Sequence, residues 1–354
     1  MPVAFPLLNN TPLSQQLMEC AMVINKPYLL FLGDASDQLA AKTAEGVAYW
    51  RRSECVGQMR LPGCNADLHL PDLTIAEAAK LGALTLLIGV ANRGGRLSEQ
   101  WLPHLREALE SGMDIANGLH NRLADVHELA ELAAKHARSL FDVRHTSVTF
   151  DVATGKKRTG KRLLTVGTDC SVGKMYASLA IEQEMQRRGI RASFCATGQT
   201  GILIAGGGVS VDAVTADFIS GAVEALSPDQ EPDHWDIIEG QGSLFHPSFA
   251  GVSLGLLHGA QPDALVMCHE PTRKHMRGLP EYPLPSLENC IAANEAAAKL
   301  TNPNSTCVGI SLNTAALDEA EALKLLAETE ARTGLPCVDA VRTGVARLVD
   351  CLPT

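Results

Sequence analysis

Apolar residues recur along the chain in short, nearly continuous runs, separated by longer amphipathic stretches. In the first half the runs at 28–32, 85–90 and 114–116 read as strands, and the stretches at 39–52, 101–110 and 124–139 read as helices. Apolar runs bounded by turn residues predict strands covered on both faces, and their alternation with helices predicts parallel sheets. The second half repeats the scheme, with strands expected at 163–166, 192–196, 235–238, 264–268 and 306–310. Helices are expected there at 175–188, 211–226, 287–300 and 317–332, and a last short strand and helix between 337 and 351. The two series are joined by Thr154-Gly155-Lys156-Lys157-Arg158-Thr159-Gly160-Lys161, which reads as a linker or as the entry to the loop described next. The expected architecture is α/β: a Rossmann-like parallel-sheet domain over 1–150, then a P-loop NTPase-like parallel-sheet domain over 151–354.

The first strand of the second series runs into Gly167-Thr168-Asp169-Cys170-Ser171-Val172-Gly173-Lys174, and a helix-compatible stretch follows from Met175. Strand, glycine-bounded turn, Gly-Lys and helix together make a phosphate cradle. Backbone N–H groups converge on an anion at the positive end of the helix, and Lys174 adds a point charge. Two departures narrow its use. Five residues separate Gly167 and Gly173 where the usual loop has about four. Met175 stands where a Ser or Thr hydroxyl would bind Mg²⁺, and a thioether is a poor ligand for a hard cation.

Two further segments end apolar strands, where ligands bind in such sheets. Asp236-Ile237-Ile238-Glu239-Gly240-Gln241-Gly242-Ser243 brings Glu239 to a strand exit, to bind a metal, order a water or accept a proton. Thr197-Gly198-Gln199-Thr200-Gly201 closes the strand before it, and the flexible Gly206-Gly207-Gly208 follows. Arg273, Lys274, His275 and Arg277 gather cations after the 264–268 strand, either to bind carboxylates or phosphates or as a solvated loop. His246 and His275 are candidate bases. Arg93, His120 and Arg122 either line a cleft between the domains or serve as turn and cap residues at strand ends.

Composition trims the alternatives. Net charge is −10, which disfavours nonspecific nucleic-acid binding. No run approaches the ~18 apolar residues of a membrane span, and no basic-then-apolar leader opens the chain. A cytoplasmic protein is expected, with its ten cysteines as free thiols because no Cys-x-x-Cys pair occurs. With 46% hydrophobic residues, association into a homo-oligomer is also expected. No zinc pattern and no Gly-x-Ser-x-Gly elbow is present.

The loop variant Gly-Thr-Asp-x-x-Val-Gly-Lys resembles the dethiobiotin synthetase-like branch of P-loop proteins. Taken with Thr-Gly-Gln-Thr-Gly, Glu-Gly-Gln-Gly-Ser-Leu-x-His-Pro and Gly-Val-Ala-Asn-Arg-Gly-Gly at 89–95, the chain resembles a bacterial P-loop family long of unknown function. Its characterised members are D-glutamate N-acetyltransferases. The resemblance implies acetyl transfer from acetyl-CoA to the amine of a D-amino acid, with no metal and with a partner enzyme consuming N-acetyl-D-glutamate. Residues 167–175 would hold the cofactor, with Glu239, His246 or His275 as base. Thr200, Gln241, Ser243, Arg273, Lys274, Arg277 and Arg93 would meet the substrate, and backbone N–H groups from Gly240 to Ser243 the developing oxyanion. An ATP- and Mg²⁺-dependent ligase or kinase-like enzyme of the dethiobiotin synthetase type is the alternative, and a nucleotide-binding regulator a third.

Overall fold

A computed structural model describes residues 24–91, 95–145 and 148–353. The N-terminal domain runs β1 (Tyr28–Gly33), α1 (Lys42–Trp50), β2 (Cys55–Arg60), α2 (Ile75–Lys80), β3 (Thr85–Ile88), α3 (Leu102–Glu110), β4 (Asp114–Asn117), α4 (His127–His136) and β5 (Leu140–Asp142). Its strands lie in the order β2-β1-β3-β4-β5, all parallel. Every residue of β1, β3 and β4 is buried, because helices cover both faces.

The C-terminal domain runs β6 (Lys161–Gly167), α5 (Lys174–Arg187), β7 (Ala192–Cys195), α6 (Gln199–Ala205), α7 (Ile219–Leu226), β8 (Trp235–Ile238), α8 (Ala250–Ala260) and β9 (Ala264–His269). It closes with α9 (Leu287–Ala298), β10 (Thr306–Leu312), α10 (Glu319–Thr333), β11 (Cys337–Val338) and α11 (Ala346–Val349). The sheet order is β11-β10-β9-β6-β8-β7, again all parallel. Both domains are therefore the parallel α/β layers that the apolar runs predict.

Several elements depart from the sequence reading. The helix expected over 211–226 is helical only from Ile219, preceded by two 3-10 turns at Val211–Ala213 and Ala216–Phe218. Asp212 there accepts from Ser210 and pairs with Arg144 of the other domain, which pulls the chain off the helical path. The segment at 199–205, where no helix is expected, is helix α6, capped by Gly206 in the left-handed region. Strand β2 escapes notice because it is a half-exposed edge with Gln58 and Arg60 in it. Helix α8 escapes because it carries three glycines, which sequence rules count against a helix. Packing explains two of them: Gly255 abuts Ile219 of α7, and a Cβ on Gly259 would lie 2.3 Å from the carbonyl oxygen of Ser220 on the same helix.

The basic 154–161 segment does not lead directly into the phosphate loop. It lies at the opposite end of β6, a full seven residues away. There Arg158 and Arg162 are buried and donate to the backbone carbonyls of Ser227, Gly259 and Pro228 and to Ser227 Oγ. They knit the floor of the sheet.

One apolar cluster crosses between the domains, joining Leu30, Ala44 and Val47 to Leu179, Ile202 and Leu203. Residues following β1, β4 and β5 meet residues following β7: Thr43 bonds Thr200, Gly118 abuts Gln199, and Arg144 pairs with Asp212. The carboxyl ends of both sheets thus share one seam, where open α/β sheets bind ligands. The nine described cysteines are all free, and no described helix is long and apolar enough to cross a membrane. Gly259→Ala should lower stability by about 1–3 kcal/mol through the backbone clash with Ser220. An unchanged urea midpoint would show that α7 and α8 can separate freely.

Candidate functional site

The phosphate loop is held from its buried side. Thr168 and Asp169 have no exposed surface, and Val172 is seated in the core beneath α5. Thr168 Oγ1 hydrogen-bonds with His269 Nδ1 at 2.8 Å, and its N–H donates to the Cys268 carbonyl at 3.1 Å, tying the loop to β9. Asp169 accepts from the Cys170 N–H at 2.7 Å, the Arg277 N–H at 2.7 Å and the Arg273 guanidinium at 2.6 Å. Ser171 at the loop tip is exposed and left-handed, with φ 53°.

The donors that matter for an anion are left over. The N–H groups of Ser171, Val172, Gly173 and Met175 have no acceptor among the described residues, and no side chain caps α5. Lys174 is buried and folds back to donate to the carbonyls of Asp169 (2.8 Å) and Gly242 (2.9 Å). Burial holds its pKa below the ordinary lysine value, and a bound anion would offset the cost of burying its charge. These groups fit a phosphate. The Met175 side chain does not face them: it packs against the apolar cluster shared by the domains.

Glu239 leaves β8 directly against β6. A Cβ on Gly240 would fall 1.7 Å from the Thr165 carbonyl oxygen, so only glycine permits this approach. The Glu239 carboxylate is buried and accepts from the N–H groups of Thr197 (3.0 Å) and Gly198 (3.1 Å) at the start of α6. Burial raises its pKa to about 7, against the pull of those donors, Gln241 and Lys174. A carboxyl poised near neutrality is suited to take up and release a proton.

The other sequence candidates divide. Arg273 and Arg277 reach the loop: Arg273 also bonds the carbonyls of Cys170 and Ser171, and Arg277 the Ser171 hydroxyl. Lys274 and His275 are exposed. His246 is buried with both ring nitrogens committed. Its Nδ1 accepts from the Ser248 N–H at 3.2 Å, so Nε2 carries the proton and donates to the Arg277 carbonyl at 3.2 Å. In that arrangement it braces the Arg277 segment and has no lone pair to act as a base. Ser243 is also buried, its hydroxyl donating to the Thr168 carbonyl at 3.0 Å. Gln241 bonds Thr197 Oγ1 at 3.2 Å, and Thr200 bonds Thr43 Oγ1 at 3.2 Å. Of the N–H groups from Gly240 to Ser243, that of Gly240 is taken by Thr165 Oγ1 at 3.0 Å. Arg93 lies outside the described residues. Ligand atoms of Asp169, Cys170 and His246 come within 4.8 Å of one another, but the carboxylate and imidazole are engaged as above.

Residues 151–349 match the profile described as a domain of unknown function, DUF1611_C, P-loop domain. Residues 59–146 match DUF1611_N, a Rossmann-like domain. The chain belongs to the DUF1611 family. A DUF1611 protein from Anabaena variabilis of known crystal structure superposes with a TM-score of 0.85 at 34% identity, covering 93% of this chain and 99% of that one. A D-glutamate N-acetyltransferase of Tritonibacter scottomollicae is 57% identical over 330 residues, 93% of this chain and 99% of its own. A second of that name, from a Pseudoalteromonas species, is 55% identical over 328 residues, again 93% and 99%.

Sequence reading missed Lys42, Thr43 and His269, which lie within an expected helix or one residue past an expected strand and carry no motif. Only the meeting of the two sheets brings the first two to this family's phosphate loop. The raised pKa of Glu239 has a consequence for stability. Between its unfolded value and about 7 the folded state binds the extra proton, so the stabilising contribution fades as pH rises through that window. Glu239→Gln removes the penalty of ionising this carboxyl. Its melting temperature relative to wild type should therefore be higher at pH 8 than at pH 5, and a relative gain that shrinks on raising the pH would refute the shift.

Proposed function

We propose that the protein is an N-acetyltransferase that moves the acetyl group of acetyl-CoA to the amine of D-glutamate. The observation that carries the reaction is the 57% identity, over nearly the full length of both chains, to a protein named for that activity. The geometry supports it in three ways. The loop offers unpaired N–H groups and Lys174 for phosphate oxygens, as coenzyme A requires. The Met175 side chain packs in the seam, so no hydroxyl stands ready for Mg²⁺. Glu239 supplies a buried carboxyl with a pKa near 7 at the adjoining strand end.

Acetyl-CoA, when bound, supplies an activated thioester acyl group. The N–H groups of Ser171, Val172, Gly173 and Met175, with the Lys174 side chain, would hold its phosphates. Glu239, as carboxylate, accepts the amine proton while nitrogen bonds the acyl carbon and the carbon–sulfur bond breaks, the sulfur leaving as thiolate. The N–H groups of Gln241, Gly242 and Ser243, which have no acceptor among the described residues, are available to the oxygen that gains charge. The acetylated product then passes to an enzyme that acts on N-acetyl-D-glutamate.

Thiol release from acetyl-CoA should depend on D-glutamate, exceed that with L-glutamate, and need neither ATP nor Mg²⁺. ADP formation in place of thiol release would overturn the reading in favour of a ligase or kinase-like enzyme. Lys174→Ala should raise the KM for acetyl-CoA about tenfold or more, as expected for a lost charged hydrogen bond. The wild-type rate should climb with pH and level off above about 7, the value at which Glu239 loses its proton. Glu239→Gln should lower kcat by about 10²–10⁴ and abolish that limb.

A further inference from the structure

Lys42 and Arg277 come from different domains and act on each other's charge across the seam, and neither forms an ion pair with a described residue. Lys42 opens helix α1 and is half-buried. The helix is clamped onto the second domain along its length. Thr43 Oγ1 meets Thr200 Oγ1 at 3.2 Å, and the rings of Tyr49 and Trp50 lie 5.3 and 5.9 Å from that of Tyr176 on α5. That clamp fixes Lys42 beside the phosphate loop. Besides burial, the groups that act on its ammonium are Arg277 and Cys170 of the loop region and Arg144 of the seam, and its pKa is held below the ordinary lysine value.

Two other cations of the seam and loop are compensated. Arg144 is paired with Asp212, and Arg273 with Asp169 and Glu270. Neither Lys42 nor Arg277 forms an ion pair with any described residue; the Arg277 guanidinium bonds the Ser171 hydroxyl. The chain has 40 acidic against 30 basic residues, so a carboxylate could readily stand here. Two cations from different domains, within reach of each other's charge and without an ion-pair partner, oppose each other, and an anion bound near both would offset that repulsion.

We propose that Lys42 and Arg277 form an anion subsite across the domain seam that takes a carboxylate of the amino-acid acceptor. This rests on the acetyl-transfer reading. The phosphate side is already provided for by the loop N–H groups and Lys174, whereas Lys42 comes from the opposite domain. Arginine presents a planar fork that matches a carboxylate, and the lysine ammonium completes the charge. The same seam holds the proton acceptor: Glu239 binds the N–H groups of Thr197 and Gly198, two residues before the Thr200 that Thr43 contacts. An acceptor whose amine reaches Glu239 can therefore be anchored by the domain that does not carry the phosphate loop. Lys42 is then a specificity-determining residue.

The test compares wild type, Lys42→Ala and Lys42→Arg in the full chain. Lys42→Ala should raise the KM for D-glutamate about tenfold or more while leaving the KM for acetyl-CoA within twofold, and Lys42→Arg should recover most of the loss. A rise in the acetyl-CoA KM instead would assign the cation to a phosphate and overturn the proposal. A second arm needs no turnover. Glutarate, a dicarboxylate without an amine, should raise the melting temperature of wild type, as a ligand of the folded state does, and not that of Lys42→Ala. Equal stabilisation of both proteins, or of neither, would overturn the subsite even if acetylation of D-glutamate is found. Lysine-dependent glutarate binding without acetylation would uphold the subsite and sink the reaction instead.

Discussion

The buried carboxylate of Asp169 organises the phosphate loop. A carboxylate with no exposed surface is costly unless every lone pair is used, and here a loop N–H, the Arg277 N–H and the Arg273 guanidinium use them. One side chain thus sets the turn after β6 and also draws the whole Arg273–Arg277 segment over it. Arg273 returns the favour by bonding two carbonyls of the loop tip, and His246 braces the same segment from behind. Because these contacts satisfy the loop's carbonyls and acids, its N–H groups are the polar groups left facing outward.

The second organising feature is the seam between the domains. A P-loop domain alone would leave the start of α6 and the Met175 face of α5 uncovered. Helix α1 covers both, joining the two cores into one cluster. The strand end that carries Glu239 is buried within the P-loop domain, against the start of α6. Burial raises its pKa, and the two backbone N–H groups, Gln241 and Lys174 offset that only in part. Proton affinity at the site is therefore set by how β8 packs against the start of α6.

Much of this was legible in one dimension. The strands that build both sheets announce themselves as apolar runs, since a strand covered on both faces has no polar side to show. The phosphate loop and Glu239 were visible because glycine has few substitutes where a backbone passes within contact distance of another, as at Gly240. Other roles were not legible. His246 and Ser243 read as chemistry, and the structure has both buried with their polar atoms hydrogen-bonded, which a motif does not record because it gives residue type and not which lone pair is already taken. Helix α8 was hidden because its glycines disfavour a helix locally, and two of them, Gly255 and Gly259, serve the close approach of α7. The 211–226 stretch has helical periodicity but gives up half of it to an ion pair with the other domain.

Taken alone, the order of residues determined the two α/β layers, the anion-binding turn, its lost magnesium hydroxyl and the acid at the next strand end. Each of these depends on neighbours a few residues apart, where backbone geometry follows from side-chain type. The tertiary structure alone decided which of the polar groups remain unpaired, how strongly Glu239 holds its proton, and that Lys42 comes within reach of the charge of Arg277. Those depend on burial and on groups far apart in the chain, which come together only when the strands, helices and domains pack.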